Sequence, residues 1–245
     1  MIDKFVPDIA AALAGIPDGA TIHISGFGNA GNPTDLVHGL IEQGARNLTV
    51  INNNAGNGHV GLARLLEAER VRKIICSFPR SQDPVVFESL YRAGKIELET
   101  VPQGTLAERI RAAGVGIGGF FTPTSVGTPL AAGKEEREID GRAMVLEQPL
   151  PADYALIKAW KADRWGNLVY RRAARNFAPS MAMAAKLTIV QVSEIVELGE
   201  LVPEAVVTPG IYVDRIVHVP VPTDENAVFE GERAARHQAE DGDGR

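Results

Sequence analysis

The sequence predicts an α/β fold: a mostly parallel sheet flanked by helices over the first two thirds, with mixed or antiparallel strands in the C-terminal third. Three observations predict it. Short apolar runs alternate with helix-length segments as far as residue 114, the pattern of strand–helix–strand units. Glycine, proline and asparagine gather where those apolar runs stop, at 25–33, 52–58 and 102–104. Hydrophobic residues make up 45% of the 245 and charged residues 23%, enough apolar surface for the core of one ordinary domain.

In chain order, residues 21–24 read as a strand, and Asn32 with Pro33 as the cap and first position of a helix ending near Gly44. Residues 48–52 read as the next strand, 60–66 as a helix, and 74–77 as a strand around the single cysteine, Cys76. A helix over 83–93 closes at Gly94, glycine being the residue that most readily takes the left-handed conformation of a helix end. Residues 96–101 alternate like a strand with one wet face. Thr105 and Glu108 have the spacing of a capping box, which starts a helix stopping at Gly114 and accounts for Glu108 without a catalytic role. Farther on, Asp140-Gly141 marks a hairpin turn, 154–159 and 168–171 flank another turn, and 187–192 is a further strand. No linker-like run divides residues 1–219, which read as one domain. Residues 220–245 are polar and acidic, with Phe229 the exception, and read as a mobile tail.

Composition removes several function classes. The net charge is −6 and the basic residues are dispersed, so nucleic acid is excluded as a partner. One cysteine makes no internal disulfide, and its apolar neighbours make it a core residue rather than a nucleophile. The N-terminus lacks the basic start and apolar stretch of a signal peptide, and no run reaches membrane-spanning length. The expectation is a soluble, cytoplasmic protein with no membrane partner. His23, His38, His59, His218 and His237 lack metal-ligand spacing, so no metal site is expected. G-x-S-x-G and P-loop motifs are absent as well. The chain offers ligand-binding loops without a convincing nucleophile.

In parallel sheets ligands sit beyond the carboxyl ends of strands, which points to the loops after Ile24, Ile51, Ser77 and Val101. Ser25-Gly26-Phe27-Gly28-Asn29-Ala30-Gly31 joins a strand to a helix. It is either a tight turn or a loop whose backbone N–H groups face a ligand. Asn52, Asn53 and Asn54 either close Asx turns or aim amides into a crevice. Gln103 lies between a strand and a helix. It reads as a solvated loop residue, or as an amide placed to hold the oxyanion formed when a carboxylate attacks a thioester.

Three of these motifs resemble the family I coenzyme A transferases, specifically their A subunit. They are Gly26-Phe27-Gly28-Asn29-Ala30-Gly31-Asn32-Pro33, Asn53-Asn54-Ala55-Gly56, and the stretch from Pro102-Gln103-Gly104 to Gly114. The likeness runs from about Pro17 to Val217, and within the family Asn57-Gly58, residues 76–80 and residues 91–98 lean toward the 3-oxoadipate branch. The resemblance implies an open α/β sandwich and transfer of CoA from succinyl-CoA to a 3-oxoacid. It also implies covalent catalysis by a glutamate that a partner B subunit supplies. CoA thioester is then a substrate, and no permanent cofactor is expected. By the same resemblance residues 25–31 bind CoA, Gln103 faces the reacting thioester with Asn53 and Asn54 nearby, and Gly118 and Gly119 shape the crevice. Ser25 departs from the pattern, which usually has glycine there. Asp224-Glu225-Asn226-Ala227 is set aside as the nucleophile's context because it lies in the polar tail and lacks the family's glycine. The competing expectations are a transferase of the acetoacetate type, a stand-alone CoA- or nucleotide-binding module, and last a sugar-phosphate isomerase.

Overall fold

The computed structural model describes residues 2–242. Its first half is a succession of strands and helices: β1 (Phe5–Val6), α1 (Ile9–Leu13), β2 (Thr21–Ile24), α2 (Thr34–Gln43), β3 (Leu48–Ile51), α3 (Leu62–Glu67), β4 (Val71–Cys76), α4 (Val85–Arg92), β5 (Glu97–Thr100) and α5 (Gln103–Gly114). Then come β6 (Phe120–Thr122), β7 (Glu136–Ile139), β8 (Arg142–Glu147), β9 (Ala152–Ala162), β10 (Leu168–Val169), α6 (Ala178–Met183), β11 (Ala185–Ile195), β12 (Arg215–His218) and α7 (Glu225–Gly242).

The central sheet has the order β1-β12-β11-β9-β2-β3-β4-β5, with β10 paired to β9. Every pairing along that path is parallel; the β10–β9 pair is antiparallel. The C-terminal third therefore adds β9, β11 and β12 in parallel, and its antiparallel part is the short β10. The hairpin forms where Asp140-Gly141 sits, both residues at positive φ (51° and 72°), as a tight two-residue turn requires. It leaves the main sheet and builds a separate one with β6, in the order β6-β8-β7.

Successive strand residues point to opposite faces, and the core divides accordingly. Val50 and Ile74 join Leu13, Leu36, Leu40 and Leu65 under α1–α4. Ile51 and Ile75 join Leu106, Ile110, Ile157 and Met181 under α5 and α6. Cys76 is fully buried, and burial pushes its thiol up to about 12, so it is a core residue. Gly44 takes a left-handed conformation (φ 98°) and its N–H closes α2 on Leu40 O, as the sequence indicates.

Two expected caps do not form. Helix α2 begins after Pro33 with no side-chain cap. The Asn32 amide donates instead to Gly28 O (3.1 Å) and to Glu225. Helix α5 starts at Gln103, two residues before the supposed capping box, so Thr105 is a buried helix residue rather than a cap. Glu108 binds Arg111 at 2.9 Å, one helical turn on. Pro102 explains the earlier start: its fixed φ (−54°) and missing N–H suit a helix entrance.

The tail expectation is also corrected. Residues 225–242 form α7, which packs back on the loops after β2 and β3, with Phe229 buried. Its docking is mostly polar, which is why a low-hydrophobicity segment concealed it. Residues 243–245 lie outside the described residues.

Candidate functional site

From β2 the chain steps outward to β3, β4 and β5, and later fills the other side with β9. Beside β2 the strand order reverses, the place where parallel sheets open a crevice at their carboxyl ends. The loops after β2, β3 and β4, the first turn of α5 and the start of α7 enclose a crevice of ≈ 770 Å³ there. Its wall is Phe27, Gly28, Asn29, Asn53, Asn54, Asn57, Ser77, Phe78, Arg80, Ser81, Gln82, Gln103 and Asn226. All four loops that the carboxyl-end rule singles out contribute.

The β2 loop is a braced hairpin. Phe27 and Ala30 exchange backbone hydrogen bonds of 3.0 and 3.1 Å. Ser25 is fully buried; its hydroxyl donates to Gly31 O (2.8 Å) and accepts from Lys158 N (3.3 Å). Asn176 accepts from Gly26 N and donates to Ala30 O. Gly26 and Gly31 have positive φ (132° and 79°), and a Cβ would lie 1.6 Å from Asn32 Oδ1 or 2.2 Å from Ala174 O. Glycine is needed there for close packing of the loop. Ser25, Gly26, Ala30 and Gly31 thus shape the loop without lining the crevice, while Phe27, Gly28 and Asn29 line it. Among the described residues, the N–H groups of Gly28 and Asn29 donate to nothing, so they are free backbone donors on residues that line the crevice.

The three asparagines divide their labour. Asn52 accepts from Asn54 N and Asn54 accepts from Gly56 N, each at 2.8 Å, so both close Asx turns. Asn53, 4% exposed, accepts at Oδ1 from Ser77 Oγ (2.6 Å) and from Gln103 Nε2 (2.9 Å). Its Nδ2 donates to nothing among the described residues. Gln103 sits in the first turn of α5, on the crevice wall. The two amides are therefore one hydrogen-bonded unit with N–H groups to spare.

Gly118 and Gly119 are not part of this wall. They lead into β6, and a Cβ on Gly119 would meet Glu147 O at 3.1 Å. They belong to the joint between α5 and the small sheet, because the chain leaves the central sheet after α5. Sequence reasoning missed Asn57, Phe78, Arg80, Ser81, Gln82 and Asn226 as individuals. The carboxyl-end rule covers the loop after Ser77, but no local signal marks Asn226.

Helix α7 reaches the site through side chains. Asn29 Nδ2 donates to Asn226 Oδ1 (2.8 Å), and Thr34 Oγ1 donates to Glu225 Oε1 (2.6 Å). Glu225, expected in a mobile tail, is buried beside the β2 loop with both carboxyl oxygens engaged, by Thr34 and Asn32. It is not in the crevice wall. Burial raises its pKa, against the opposing pull of Thr34, Asn32 and Lys158, with Asp35 adding to the rise. A carboxyl whose folded pKa is raised stabilises docking fully below its unfolded value and loses that contribution as pH rises through the folded one. Amides 226–235 are expected to be more protected from hydrogen exchange at pH 5 than at pH 8, after correction for intrinsic rates. Glu225→Gln should flatten the difference; an unchanged difference in that variant would refute the assignment.

Among the described residues no group of three or more His, Cys, Asp or Glu is placed to hold a metal ion. No helix among them is long and apolar enough to cross a membrane.

The coenzyme A transferase family model matches residues 6–219. The chain belongs to the coenzyme A transferase family. This transferase chain is 66% identical over 219 residues to the A subunit of the 3-oxoadipate CoA-transferase of Pseudomonas putida, covering 89% of this chain and 95% of that protein. It is 52% identical over 215 residues to the A subunit of the succinyl-CoA:3-ketoacid coenzyme A transferase of Xanthomonas campestris pv. campestris, covering 87% and 88%. Its fold matches the crystal structure of glutaconate coenzyme A-transferase from Acidaminococcus fermentans with a TM-score of 0.80 at 22% identity, covering 89% of this chain and 76% of that one. The family match ends at residue 219, and α7 lies beyond it, with Asn226 on the crevice wall.

Proposed function

We propose that this chain is the A subunit of a transferase that carries CoA from succinyl-CoA to 3-oxoadipate, a step in the breakdown of aromatic compounds in the cytoplasm. The observation that carries the reading is the chemistry of the crevice wall. Seven of its residues bear side-chain amides (Asn29, Asn53, Asn54, Asn57, Gln82, Gln103 and Asn226), and none bears a carboxylate. Attack of a carboxylate on a thioester places negative charge on the former carbonyl oxygen, and fixed N–H donors in a partly closed site stabilise that charge. Asn53 Nδ2 and the second N–H of Gln103 serve as those donors, and the Gly28 and Asn29 N–H groups hold polar parts of the CoA thioester.

The attacking glutamate comes from a B subunit. Trp165 and Ile211, 45% and 82% exposed, offer apolar surface for such a partner. Gly210 holds their two segments together, since a Cβ there would meet Trp165 O at 2.2 Å. The 3-oxoadipate assignment is favoured by the higher identity to the Pseudomonas putida 3-oxoadipate CoA-transferase subunit than to the Xanthomonas campestris succinyl-CoA:3-ketoacid transferase subunit, 66% against 52%.

The test is a CoA-exchange assay of the chain co-purified with its B subunit, with succinyl-CoA as donor and 3-oxoadipate or acetoacetate as acceptor. Exchange with 3-oxoadipate should dominate, and this chain alone should be inert. Exchange by this chain alone would remove the divided active site, and preference for acetoacetate would remove the 3-oxoadipate reading.

A further inference from the structure

The crevice wall contains one charged side chain among the described residues, and it is a cation, Arg80. We propose that Arg80 receives the distal carboxylate of a dicarboxylic acyl group and so selects 3-oxoadipate over monocarboxylic 3-oxoacids. This rests on the transferase reading above and names the residue that sets its substrate class.

Three features support the assignment. First, the guanidinium is held but not used up. Its Nε lies 2.8 Å from Glu88 Oε1, while Glu88 Oε2 binds Arg92 Nη2 at 2.6 Å. One carboxylate is shared between two arginines, so the trio keeps one net positive charge. Arg80 Nη1 and Nη2 have no partner among the described residues. Two terminal guanidinium nitrogens form a fork that matches a carboxylate in paired hydrogen bonds.

Second, the loop bearing Arg80 is tied to the asparagine loop that carries Asn53, one of the two proposed oxyanion donors. Ser81 Oγ donates to Gly56 O (3.0 Å), Gly58 N to Asp83 O (3.0 Å), and Asp83 N to Asn57 Oδ1 (3.2 Å). The cation and the reacting end of the crevice are thereby held in one frame. Third, Phe27 and Phe78, 50% and 60% exposed, line the same crevice. Those rings suit the methylene spacer of a dicarboxylate, whose burial they would favour. No acidic side chain on the wall competes for the guanidinium.

The experiment uses the co-purified pair and two acceptors that differ only at the far end: 3-oxoadipate, and 3-oxohexanoate, in which a methyl replaces the distal carboxylate. Wild type should have the higher kcat/KM for 3-oxoadipate. Arg80→Gln should lower the ratio of the two kcat/KM values at least about tenfold, the size expected for loss of a charge-assisted hydrogen bond. Most of the change should fall on the KM for 3-oxoadipate. Arg80→Lys should restore part of the ratio, because it keeps the charge and loses the fork. A ratio unchanged in Arg80→Gln, or an equal fall for both acceptors, overturns the Arg80 assignment and leaves the transferase reading standing. A wild-type pair that does not prefer 3-oxoadipate overturns the substrate reading itself, and the assignment falls with it.

Discussion

Asn53→Ala is expected to lower kcat of the assembled enzyme by about 10²–10³-fold, the loss typical of removing one preorganised oxyanion donor, with little change in pairing with the B subunit. The geometry puts this effect on Asn53 more than on Gln103. Asn53 is 4% exposed, and its Oδ1 is fixed by Ser77 Oγ at 2.6 Å and Gln103 Nε2 at 2.9 Å. With the oxygen doubly held, its N–H₂ is the end left to donate, and it needs no reorganisation when charge develops. Gln103 is exposed and spends one of its two N–H bonds on Asn53. Gln103→Ala should therefore cost about 10-fold, partly by loosening Asn53.

The sharper variant is Asn53→Asp. It keeps the shape and both accepted hydrogen bonds but removes the donor. A loss in kcat as large as that of Asn53→Ala is expected, with formation of the pair followed in parallel by size-exclusion chromatography. Near-wild-type kcat in Asn53→Asp would show that Asn53 is a scaffold residue and that the oxyanion is held elsewhere.

The second large effect is on stability in mild acid. His23 lies in β2, the strand that carries the glycine loop, and is fully buried. Burial lowers its pKa from 6.5 to about 4, against the opposing pull of the Met181 and Leu150 backbone carbonyls. Above the unfolded value of 6.5 both states hold a neutral ring, so its contribution is complete. As pH falls from 6.5 toward 4, the unfolded chain binds a proton that the folded protein refuses, and stability drops. At about 1.4 kcal/mol per pH unit, the whole window corresponds to about 3 kcal/mol.

His38 shifts in the same direction, first through burial and then through Arg64, so single variants are needed to apportion the slope. Urea unfolding at pH 7.5 and pH 5 should show the loss in wild type, and His23→Gln should reduce it. An identical pH slope in that variant would mean that His23 is not the group responsible. The carboxylates Glu99, lowered against burial by Lys73 and Arg109, and Asp153, lowered by Lys186 and the Thr21 N–H, act in a lower window, as pH falls below their unfolded values of 4.5 and 3.8.

Much of the architecture was legible because solvent partition along a strand or helix is a local, periodic property. Residues 48–52 and 74–77 read as strands, and β3 and β4 form there over Leu48–Ile51 and Val71–Cys76. The Asp140-Gly141 turn forms with both residues at positive φ. The helix starts were less legible, since capping depends on what else competes for the side chain. Asn32 is drawn away from its helix by Gly28 O and Glu225, the latter 193 residues on, and Thr105 is overtaken by the conformational restriction of Pro102. Helix α7 escaped because local hydrophobicity does not register a docking made of Glu225, Asn226 and one buried phenylalanine.

The candidate site divides along the same line. By itself the sequence determined the alternating sheet, the buried Cys76, the loops at the carboxyl ends and the candidacy of Gln103 and Asn53, because each is written in neighbouring residues. Only the tertiary structure decided that Ser25 braces its loop from inside, that Asn52 and Asn54 close turns while Asn53 and Asn54 line the crevice, and that Gly118 and Gly119 stand elsewhere. Only it brought Arg80 into a wall of amides. The reason is geometric: which way a loop side chain faces is set by backbone angles and by hydrogen bonds to loops many residues away, and neither leaves a periodic trace in the chain.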